Sequence, residues 1–91
     1  MDIGTMNTTF LLLAQFGARA VIPIEEVRRE YFAHLELEKL LRKIALGEIS
    51  LPLVRIEKSQ KSAKGVYVQD LADYIDEARA AAVKERDQLA A

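Results

Sequence analysis

The sequence predicts a small α+β domain: two short helices, a β-hairpin and a closing helix. Three observations lead to it. Apolar residues recur at steps of three and four through residues 24–46, they alternate on both sides of a polar stretch between Leu53 and Val68, and a second helical stripe follows Asp70. Steps of three and four keep one face of a helix apolar, and alternation does the same for a strand.

Phe10 to Phe16 is a compact apolar run closed by Gly17. It fits a short helix ending at the glycine. It equally fits the first strand of a hairpin that turns at Gly17-Ala18-Arg19 into Ala20-Val21-Ile22, because periodicity cannot separate a short buried helix from a buried strand. The hairpin is the preferred expectation. Pro23 suits a helix start, where its missing N–H is no loss. Glu25 and Glu26 then complement the helix dipole, and Ile24, Val27, Tyr31 and Leu35 form the apolar stripe. A break near His34 to Glu36 separates this helix from a second, with Leu37, Leu40, Leu41 and Ile44 on its apolar face and Gly47 as its cap.

Pro52 stops any helix from continuing. Val54 and Ile56 are expected on one face of a strand, matched by Val66 and Val68 across a loop ending at Gly65. Asp70 is expected to cap the final helix, along which Leu71, Ile75, Ala78, Ala82 and Leu89 align. The expected division is a flexible extension at residues 1–7, a folded domain at 8–80, and a helix end at 81–91 that frays or packs on a partner.

Composition narrows the function. The 91 residues carry no cysteine and one histidine, His34, so disulfides and thiolate metal sites are excluded and no metal or cofactor is expected. No apolar run approaches a membrane span, and no cleavable leader is legible, so a cytoplasmic protein without membrane contact is expected. The acids of Glu25-Glu26 and of Asp70, Asp73 and Asp76 are explained by helix starts. With no phosphate-binding glycine loop and no nucleophile motif, an enzyme is not expected.

Net charge is −1, yet residues 39–64 hold seven basic residues and two acids. One basic face meeting a polyanion explains such asymmetry; a solvated surface explains it as well, on charge alone. The second helix sharpens the choice. With Glu38 at zero on a helical wheel of about 100° per residue, Arg42 falls near 40°, Leu46 near 80°, Lys39 near 100° and Lys43 near 140°, opposite Leu37, Leu40, Leu41 and Ile44. The hairpin tip, Lys58-Ser59-Gln60-Lys61-Ser62-Ala63-Lys64-Gly65, repeats lysine every third position among small polar residues. Helix, turn, helix and basic hairpin in this order are the plan of a winged helix-turn-helix domain. Its second helix reads base edges and its wing touches phosphate or the minor groove. Lys39, Arg42, Lys43, Arg55, Lys58, Ser59, Gln60, Lys61, Ser62 and Lys64 are therefore the candidate DNA-binding residues, and double-stranded DNA the expected partner.

The stretch Lys39-Leu-Leu-Arg-Lys-Ile44, then Leu51-Pro-Leu-Val-Arg55, Ser59-Gln-Lys-Ser-Ala-Lys-Gly65 and Asp70-Leu-Ala-Asp-Tyr-Ile75, together with Val21-Ile-Pro-Ile-Glu-Glu-Val27, resembles the pyocin activator (PrtN-type) family. The resemblance spans about Met6 to Arg79, and the Ser59–Gly65 run is its most specific part. The layout is shared more loosely with excisionase-like and MerR-like regulators. The resemblance implies a transcription activator of phage-tail-like bacteriocin genes that binds DNA sites upstream of them, or a prophage-encoded relative with other targets; RNA polymerase is a further candidate partner. Two departures stand out: Glu36-Leu37 replaces a Thr-Pro-like opener before the second helix, and residues 1–5 have no counterpart. An excisionase-like architectural factor and a protein-interaction module without DNA binding are the alternatives. A homodimer or larger assembly is expected, with Tyr74, Ala78, Ala81, Ala82 and Leu89 as candidate oligomer residues.

Overall fold

The computed structural model describes residues 7–58 and 63–90. Among the described residues four helices surround a three-stranded antiparallel sheet, a winged-helix-like arrangement closed by a long last helix.

The first apolar run is helical, which corrects the expected hairpin. It forms α1 (Thr8–Phe16). The Asn7 side chain accepts from the Thr9 N–H at 2.8 Å, satisfying one of the donors a helix start leaves open. At the other end Gly17 takes φ 84°, a left-handed conformation that suits glycine, and the Leu13 carbonyl accepts from both Gly17 and Ala18. Leu12 and Phe16, four apart, point into the core. A strand would have sent them to the same face too, so the end signals decide.

The strand that follows, β1 (Val21–Pro23), was expected to pair backward with this run. It pairs forward instead. Ile22 lies opposite Val66 and Pro23 opposite Gly65 on β3 (Lys64–Tyr67), whose other edge pairs with β2 (Val54–Arg55). The wing is thus the outer part of a sheet with order β1-β3-β2, rooted in the core through β3. Ile56 and Val68 do not form the expected cross-strand match. Ile56 lies beyond β2 and is exposed, and Val68 is already helical.

Pro23 ends β1 and starts α2 (Ile24–Tyr31) at φ −53°, near the angle its ring imposes. Ile24 and Val27 are buried. The helix stops before Leu35, so Phe32 and Leu35 reach the core from the turn rather than from a helical stripe. Arg28 fixes that turn by donating to the Leu35 carbonyl at 3.0 Å while gripping Glu25. Next comes α3 (Leu37–Ala45), whose Leu40 is fully buried. Gly47, at φ 77°, turns the chain back so that Ile49 and Leu51 enter the core.

The last helix, α4 (Val68–Ala90), starts with no loop after β3. The Val68 N–H still donates to the Ala20 carbonyl at 2.8 Å, one bond beyond the β1–β3 ladder. Asp70 therefore lies inside the first turn, not at the expected cap. Leu71 and Ala72 seal the core. Thr8 donates to Asp76 at 2.6 Å and Thr9 to Gln69 at 2.9 Å, clasping α1 to α4. No helix among the described residues is long and apolar enough to cross a membrane.

Candidate nucleic-acid interface

The core anchors α3 by Leu40, with Leu37, Leu41 and Ile44 half-buried beside it. That leaves Glu38, Lys39 and Arg42 exposed on its outer side. The wing stands next to this side. Glu38, Arg42 and Ala45 of α3 line one open hollow together with Leu53, Arg55 of β2 and Lys64 of β3. Arg42, Arg55 and Lys64 were picked out of three separate stretches of sequence, and the fold brings them to one place.

Two of these cations are directly opposed. Arg55 and Lys64 are register partners across the β2–β3 ladder. Directly opposite side chains in an antiparallel pair have Cβ atoms about 4.5–5.5 Å apart, and like charges there repel. None of Arg42, Arg55 and Lys64 forms an ion pair with another described residue. Three cations from two strands and a helix thus stand together on the exposed side of α3.

The other candidates are dispersed. Lys43 is half-buried and reaches Glu48 at 3.8 Å. Lys39 is exposed further round α3, and Lys58 is exposed past the end of β2. Ser59, Gln60, Lys61 and Ser62 lie outside the described residues. Glu38 is the residue that sequence reasoning missed. It lines the hollow beside Arg42. The wheel places the two about 40° apart, so the signal was there to read. His34 is exposed in the turn, its ring 6.5 Å from that of Phe32.

Of the candidate oligomer residues, Tyr74 is half-buried, with its ring 5.8 Å from Phe32. Ala78, Ala81, Ala82 and Leu89 are exposed along the rest of α4.

Searches among curated proteins and among solved structures found no match. The sequence model of one family, described as pyocin activator protein PrtN, matches residues 8–82. That range starts with α1, takes in β1, β2 and β3, and ends inside α4. It includes α3 and the wing with their shared hollow, and on this match the chain belongs to the pyocin activator protein PrtN family.

Proposed function

We propose that the protein is a sequence-specific DNA-binding transcription activator of phage-tail-like bacteriocin genes. The observation that carries this reading is the hollow shared by Arg42 of α3 and the opposed pair Arg55 and Lys64 of the wing. In the proposed complex α3 lies in the major groove. Arg42 donates two parallel hydrogen bonds to a guanine edge, the commonest specific interaction of its kind. Arg55, Lys58 and Lys64 meet phosphates along the flanking backbone and fix the register. The repulsion between Arg55 and Lys64 is relieved when a phosphate lies between them, so the apposition favours the bound state over the free one.

Capture of genomic fragments on the purified protein, followed by sequencing, yields the target sites. Binding to one such site is then compared for the wild type and Arg42→Ala. The variant is expected to bind more weakly by roughly 1–3 kcal/mol and to relax selectivity at one base position. A folded Arg42→Ala/Lys43→Ala variant that selects the same fragments with unchanged affinity would overturn the assignment of α3 as the reader.

A further inference from the structure

The outward side of α3 holds one large apolar residue among its charges. Leu46 caps α3, and its N–H still donates to the Arg42 carbonyl at 2.9 Å, so it continues the last helical turn. Its side chain is 68% exposed, whereas Leu37, Leu40, Leu41 and Ile44 are buried or half-buried. A lone exposed leucine is ordinary on a protein surface. What singles out Leu46 is its place. With Glu38 at zero on the wheel, the buried stripe centres near 250° and Leu46 falls near 80°, almost directly opposite. Arg42 lies about 40° to one side and Lys39 about 20° to the other.

A helix set in the major groove turns the side opposite its core toward the base edges. With nine residues, α3 is about 14 Å long, little more than the groove's width of about 12 Å, so its last turn stays over the bases. Arg42 and Leu46 then share the base-facing row, one turn apart. A leucine set among cations fits a partner that is anionic and offers an apolar group at that point. Duplex DNA has such a group in the major groove, the 5-methyl of thymine. A leucine side chain neither donates nor accepts hydrogen bonds, so that methyl is the feature of a base pair it can read. Four residues of helix rise about 6 Å, close to two base pairs at about 3.4 Å each.

We propose that Leu46 packs on the 5-methyl group of a thymine about two base pairs from the guanine that Arg42 reads. The inference rests on the DNA reading above, and its test separates the two.

Deoxyuridine differs from thymidine only in lacking that methyl, so the probe alters neither the protein nor the hydrogen-bonding edges. Each thymine of a captured target is replaced in turn, and affinity is measured for the wild type, Leu46→Ala and Arg42→Ala. One replacement is expected to weaken the wild type about fourfold, the scale of one buried methyl-sized group. Leu46→Ala is expected to bind the unmodified target about fourfold more weakly or worse, and to be indifferent to that replacement. Arg42→Ala is expected to stay sensitive to it. Because leucine carries no charge, Leu46→Ala is expected to keep the wild-type affinity for random duplex and the wild-type slope of log affinity against log salt. A wild type that selects its target but ignores every replacement would overturn the proposal, leave the DNA reading standing and leave Leu46 to a protein partner. A Leu46→Ala variant that still senses the same methyl, or a target with no thymine near the guanine read by Arg42, would overturn it too. A wild type that selects no duplex would overturn both readings.

Discussion

Gly65 packs its bare Cα against the backbone of Ile22. A Cβ at Gly65 would stand 2.7 Å from the Ile22 carbonyl oxygen and 2.6 Å from a methyl of Val21. The methyl can rotate away. The carbonyl belongs to β1 and cannot move without breaking its register with β3. Gly65→Ala is therefore expected to lower unfolding free energy by about 1–3 kcal/mol, read as a lower urea midpoint. Because Gly65 also pairs with Val54, the destabilisation is expected with a loosened wing, visible as faster amide exchange in 53–55 and 64–67. An unchanged midpoint would mean that β1 shifts without penalty.

Glu38 shares the hollow with Arg42, and the two are one helical turn apart. A carboxylate there accepts from the amino group of cytosine in the major groove, while it repels phosphate. Glu38→Gln is expected to tighten binding to random duplex and to narrow the gap between target and random sequence. The gap is expected to shrink by about 1 kcal/mol or more, the scale of one good base interaction. If target and random duplex tighten by equal factors, Glu38 acts only through its charge.

Neutralising Arg55, Lys58 and Lys64 together is expected to flatten the salt dependence of DNA binding. Each phosphate that the wing no longer neutralises takes about 0.9 off the slope of log affinity against log salt. Comparing the plots of wild type and the triple glutamine variant therefore shows how much of the backbone charge the wing meets. Equal slopes would take the wing out of the interface. Removing Arg55 alone is also expected to stabilise the free protein slightly, by a few tenths of a kcal/mol, because the like-charge pair disappears.

Arg19 grips Glu26 through two hydrogen bonds of 2.9 and 2.6 Å. These bonds, with smaller help from the charges of Arg19 and Arg29, hold the Glu26 carboxyl below its ordinary range. A folded-state value below the unfolded one means that the pair's contribution is complete above the ordinary carboxylate range and is lost as pH falls through the folded value. The melting temperature of wild type is expected to exceed that of Glu26→Gln at neutral pH, by a small margin given the pair's exposure. The margin should close on acidification. A margin independent of pH would assign the effect to packing.

Much of this was legible in the sequence because local chemistry and tertiary packing agree. Leu37, Leu40, Leu41 and Ile44 set the buried side of α3, and the exposed side follows from the same wheel. Gly47 closes that helix at a positive φ. The first apolar run was misread because Phe10 and Leu11 are exposed though apolar, which blurs any period. The cap residues Asn7 and Gly17 held the answer. The pairing of β1 with β3 was not legible, since the two strands are more than forty residues apart and no local turn links them. Nor was the meeting of Arg42 with Arg55 and Lys64, which depends on that pairing to place the wing beside α3. Val68 reads as a strand residue by alternation, and it does extend the strand's hydrogen bonding by one step while adopting helical backbone.

The join between β3 and α4 has a mechanical consequence. Tyr67 ends the strand and Val68 begins the helix, so no hinge residue separates them. The root of that helix is also clasped to α1 through Asp76 and Gln69 and buried at Leu71 and Ala72. Strand, root and α1 therefore form one stiff unit, and the wing cannot tilt against α4 without breaking the clasp. The part of α4 that stands in solvent, from Ala78 to Ala90, is about 18 Å long at 1.5 Å per residue.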